Sequence, residues 1–149
     1  MHPFDIKTVL FAKHAQHVVL IHFPIALFTV GVLFDFLAQW KKQRLLAAAA
    51  YYNLFVAALA TIPVVITGIV AWQWELEGQK LKGILLMHLV MGSVSSVLIW
   101  VVWIIHKRTQ GQDGGILPAY CLPIEAVAVA IVTVTGHLGG FLSGVNGPG

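Results

Sequence analysis

Four histidines, His17, His22, His88 and His137, stand inside the apolar stretches of this 149-residue chain. An unsatisfied polar group in a membrane interior costs several kcal/mol, so ionisable side chains there are read first as functional. Several imidazoles at one depth read as a ligand set. Neutral imidazole nitrogen suits haem iron, copper, zinc or non-haem iron. The single cysteine, Cys121, and the lack of a CxxC or CxxCH pattern exclude a disulfide framework, a thiolate zinc site, an iron–sulfur cluster and thioether-linked haem. Cys121 reads as a small apolar filler.

The elements that must carry these residues follow from composition. The chain is 58% hydrophobic and 10% charged, against about 25% charged in soluble domains. Charges fall between four long apolar runs, which predict helices over about 16–40, 45–74, 83–106 and 116–142. The fold expected is all-α, a transmembrane up-down four-helix bundle forming one domain over 1–149. The second run is longer than a bilayer needs and is expected to tilt or bend at Pro63. No cleavable signal peptide is expected at the start. The scattered basic residues give no nucleic-acid surface. Lys41, Lys42, Arg44, Lys107 and Arg108 lie on one side, and Lys7, Lys13, Lys80 and Lys82 on the other. This small excess predicts termini outside the cytoplasm, which is the periplasmic side for the bacterial inner membrane expected as the location. Trp40, Trp72, Trp74, Trp100 and Trp103 are expected at the interfaces.

In that topology all four histidines come to the terminus-bearing face. His17 and His22 start helix 1, His88 starts helix 3 and His137 ends helix 4. Five residues separate His17 from His22, about 140° around a helix, so they cannot point the same way. His22 and His88 are the expected axial pair. The alternative for His22 is a hydrogen bond to a backbone carbonyl near the helix start, where Pro24 would be tolerated for its missing donor. His17 and His137 are a second axial pair or supporting groups. Gly68, Gly92, Gly136, Gly139 and Gly140 lie at the same depth. They supply either close helix contact or room for a flat macrocycle. His14 is expected at the interface, and His2 and His106 in solvent. Phe23, Phe28, Phe34 and Phe55 read as packing. Asp35 and Glu125 lie toward the basic face. Asp35 either snorkels toward Lys41 or Arg44, or shares with Glu125 a proton- or quinone-binding role.

The run His17-Val-Val-Leu-Ile-His22-Phe23-Pro24-Ile25-Ala26-Leu27 resembles the HPxxVHFPIAL signature of the family called domain of unknown function 2231. Thr67-Gly68-Ile69-Val70-Ala71-Trp72 is similar to the family's ending of helix 2, His88 to its helix-3 histidine, and Gly136-His137-Leu138-Gly139-Gly140-Phe141-Leu142 to its close. Val18 stands where the family usually has proline, and His137 where tryptophan is commoner. The resemblance implies kinship with di-haem b-type membrane cytochromes. The expected function is therefore a haem b cytochrome with one or two haems, carrying electrons alone or in a redox complex, with iron held among His17, His22, His88 and His137. Lys80 and Lys82 would lie near haem propionates. No nucleophile–base pair marks it as a stand-alone enzyme. Expected partners are the lipid membrane, quinone, redox subunits or a periplasmic cytochrome, and a second copy of the chain. The rival readings are a histidine-cluster metal-binding or transport protein and a non-redox structural subunit.

Overall fold

The computed structural model describes residues 13–74, 76–109 and 115–144, with side chains from Gln16 onward. Among them are four long helices: α1 (Lys13–Lys41), α2 (Arg44–Trp74), α3 (Gly83–Thr109) and α4 (Leu122–Leu142). The expected helices are found, with α1 and α3 each extending three residues beyond the expected ends. Helix α4 begins later than expected. Pro118 is extended, with φ −61° and ψ 141°, and a 3-10 turn over Ala119–Cys121 leads into the helix. Pro123, within the first turn of α4, needs no hydrogen-bond donor there. Pro24 and Pro63 both lie inside helices. Pro24 is therefore not the near-terminal proline the sequence suggested, because α1 starts eleven residues before it.

The four helices are long and apolar enough to cross a membrane. Their outer faces carry large apolar side chains such as Val19, Leu33, Ile66, Val97 and Val127, all more than half exposed. So much apolar surface on every helix fits lipid as the solvent. The helices pair as two hairpins, α1 against α2 and α3 against α4. The α1–α2 connection is short because Lys42 takes a left-handed conformation, φ 53°, and turns the chain at once. Gly31 lets these two helices approach closely: a Cβ there would lie 2.9 Å from Cγ of Leu54.

The buried apolar core joins Phe28, Leu54, Ala57, Ala58, Ile99, Val102, Ala128 and Val132. On α3 and α4 its members run from the α3–α4 connection only as far as Ile99 and Val132. The core thus fills the half of the bundle away from the terminus-bearing face. Hydrogen bonds tie neighbouring helices, two of them in the middle of the bundle. Trp100 Nε1 donates to Thr61 Oγ1 at 3.1 Å. Ser95 Oγ lies 2.8 Å from Thr135 Oγ1. Trp100 and Trp103 are therefore not interfacial anchors: both are half-buried, and Trp103 packs on Phe55 with ring centroids 5.3 Å apart. Phe28 is fully buried as packing, whereas Phe23 faces outward.

Candidate functional site

At the terminus-bearing end, His17 of α1 and His88 of α3 meet edge to face. Their ring centroids are 6.3 Å apart and their planes 86° from parallel. Each ring is held through Nδ1. The His17 Nδ1 lies 3.2 Å from Thr67 Oγ1. That hydroxyl also lies within donor reach of the carbonyls of Pro63 and Val64, and when its proton goes to either of them it accepts from His17. The His88 Nδ1 donates to the Thr135 carbonyl at 3.2 Å. A neutral His88 therefore carries its lone pair on Nε2, the state in which a histidine ligates metal, and His17 does the same when Thr67 donates within its own helix. Neighbouring helices leave space for the rings. A Cβ on Gly68 would lie 3.0 Å from His17 Cε1, and one on Gly139 3.2 Å from His88 Cε1. These glycines seat the imidazoles themselves, rather than acting only as spacers between helices.

The other expected site residues are placed differently. His22 is on the exposed side of α1, and its Nδ1 donates to the Val18 carbonyl at 2.7 Å. It does not pair with His88; His17 takes that place. His137 is exposed and packs on the ring of Phe141 one turn later, with centroids 4.9 Å apart. Gly136 faces Ile25, and Gly92 faces the methyl of Thr135 at ordinary contact distance. Lys80 and Lys82 are exposed in the α2–α3 connection at this end. His2 and the side chain of His14 lie outside the described residues.

A second polar centre lies at the opposite end, among residues read from sequence as solvated or snorkelling. Asp35 of α1, His106 of α3 and Glu125 of α4 are 0%, 3% and 2% exposed. His106 is not in solvent because α3 continues to Thr109 and α4 starts beside it, closing the bundle over the ring. Asp35 does not reach Lys41 or Arg44. It points inward, where its Oδ2 accepts from Gln39 Nε2 at 2.7 Å. The Nε2 of His106 is 3.5 Å from Asp35 Oδ1 and 3.5 Å from Glu125 Oε1. Nδ1 of the same ring donates to the Val102 carbonyl at 3.0 Å. Among the described residues, Asp35 Oδ1, both Glu125 carboxylate oxygens and His106 Nε2 have no hydrogen-bond partner. A buried carboxylate is stable only when paired, protonated or bound to a cation.

The two centres share their supports. His17 and Asp35 are eighteen residues apart on α1, as are His88 and His106 on α3. Eighteen residues make about five whole turns, so each pair lies on one helix face, about 27 Å apart along the axis. This repeat was the sequence signal for His106. Once His17 and His88 face inward, Asp35 and His106 must do so too.

The chain belongs to the family described as "Predicted membrane protein (DUF2231)", which matches residues 13–147. That description and the four apolar helices fit an integral membrane protein. No curated protein and no solved structure matches the chain.

Proposed function

We propose that this protein holds one haem b between His17 and His88 and carries electrons within the membrane, alone or as the membrane subunit of a redox complex. The carrying observation is the facing pair of anchored imidazoles. Two imidazoles on one metal, each bonded at about 2.0–2.1 Å, place their ring centroids about 6 Å apart. The separation of His17 and His88 is 6.3 Å. The Thr135 carbonyl sets the ligating tautomer of His88, and the Thr67 hydroxyl is placed to support the same tautomer in His17. On α3 and α4 the fully buried residues stop short of this level among the described residues, and the glycines Gly68 and Gly139 stand against the two rings. Lys80 and Lys82 place positive charge at this end for anionic substituents.

Bound haem supplies a one-electron iron couple, whose potential is set by the axial imidazoles and the polarity around them. The protein's own part is to fix the two rings, hold their Nδ1 protons on oxygen acceptors and surround them with apolar helices. A bacterial inner membrane location, periplasmic termini and contact with quinone or a soluble cytochrome accord with this role.

The test is a pyridine haemochrome assay with reduced-minus-oxidised spectra on the full chain in detergent. We expect one haem per chain, lost in His17→Ala and in His88→Ala and retained in His22→Ala. A colourless protein that takes up no haem on reconstitution overturns the reading. Metal without porphyrin on elemental analysis would favour a histidine-level metal-binding protein. Full haem retention without His17 and His88 would leave those residues a structural role only.

A further inference from the structure

We propose that Asp35, His106 and Glu125 form a second, independent site that binds one divalent first-row transition metal ion at the end of the bundle bearing Lys41 and Arg44. The three residues come from three helices, and one ligand atom of each lies within 4.8 Å of the others. With Nδ1 committed as donor to Val102, a neutral His106 turns a lone pair toward two carboxylates. The centre then consists of acceptors facing acceptors: His106 Nε2, Asp35 Oδ1 and Glu125 Oε1, all without a hydrogen-bond partner. Gln39 adds another unpartnered acceptor, Oε1, beside Asp35. Such a set is electrostatically incomplete until a proton or a cation enters it, and three converging ligand atoms from three helices are arranged to take a cation.

The spacing admits a metal ion between the three residues as well as an ion pair. Both His106 contacts are 3.5 Å, beyond the usual 2.7–3.2 Å of an N–H···O bond. Ligands bonded at about 2.0–2.1 Å to one tetrahedral ion are separated by about 3.3–3.4 Å. One imidazole and two carboxylates favour zinc, iron, manganese or cobalt over copper(I), which prefers sulfur, and over calcium, which takes more oxygens. An open groove is lined by Phe36, Gln39, Trp40 and Leu117, and a small cleft on the other side of Leu117 is lined by His106, Cys121 and Glu125.

The experiment uses the full chain in detergent, stripped with chelator and titrated with Co2+ and Zn2+. We expect one ion per chain, with the visible ligand-field absorption of low-coordinate Co2+. Affinity should fall by at least about tenfold in His106→Ala and Glu125→Gln. It should be unchanged in His17→Ala and His88→Ala, which separates this site from the haem reading. X-ray absorption of the Zn2+-loaded wild type should show nitrogen and oxygen ligands with imidazole scattering. That measurement stands even if the variants fail to fold. Wild-type chain that binds no metal, sulfur ligation through Cys121, or unchanged binding in folded His106→Ala overturns the proposal. So does a metal-free protein whose infrared spectrum shows a protonated carboxylic acid lost in Glu125→Gln, because the centre would then hold a proton instead.

Discussion

The Thr67 hydroxyl on α2 lies 3.2 Å from Nδ1 of His17 on α1, and its proton can be spent on the Pro63 carbonyl of its own helix. In that arrangement a side chain on α2 keeps the Nδ1 proton of a ring on α1 and leaves the lone pair on Nε2. Replacing Thr67 with valine keeps the shape and removes the acceptor. We expect haem affinity to fall about 10- to 100-fold, with Thr67→Ser close to wild type. Titration of the haem-free chain with haemin, followed by the Soret band, checks this.

Glycine substitutions should divide by distance. Gly68→Ala and Gly139→Ala each put a methyl within 3.0 and 3.2 Å of a ligand ring. Both should displace the imidazole and lower haem occupancy. Gly92→Ala meets its nearest atom at 3.8 Å and should be tolerated. Occupancy per chain, measured on the three variants side by side, decides it.

At Gly31 the neighbour is Leu54 at the centre of the α1–α2 contact, 2.9 Å from the position a Cβ would take. Gly31→Ala overpacks this interface and should cost about 1–3 kcal/mol of stability. Reversible unfolding in mixed micelles provides the measurement, and haem spectra of the surviving folded protein should be normal.

Trp100→Phe removes the bond from α3 to Thr61 on α2. Side-chain hydrogen bonds between membrane helices contribute about 0.6 kcal/mol on average. The same unfolding assay should register a loss of about that size, and Thr61→Val should not add to it in the double variant.

The sequence made the fold legible because charge clusters such as Lys41–Arg44 bound apolar runs of membrane-spanning length. It also brought His17 and His88 to one depth. It did not show which of His17 and His22 faces inward, since either side of α1 is apolar enough to face lipid. Hydropathy along α2 has almost no directional bias for the same reason. The start of α4 was misplaced because Ile116 and Leu117 are as apolar as the helix that follows. The buried centre was hidden by the Lys107-Arg108 pair, which made His106 look like part of a solvated end. Only the helical phase linking it to His88 pointed inward.

That shared phase has a mechanical consequence. Helices α1 and α3 are rods, each gripping both polar centres along one edge. Rolling either rod to suit an occupant at one end turns the ligand edge at the other by the same angle. A helix committed at both ends in this way is hard to roll, which keeps the shape of each centre independent of what the other holds.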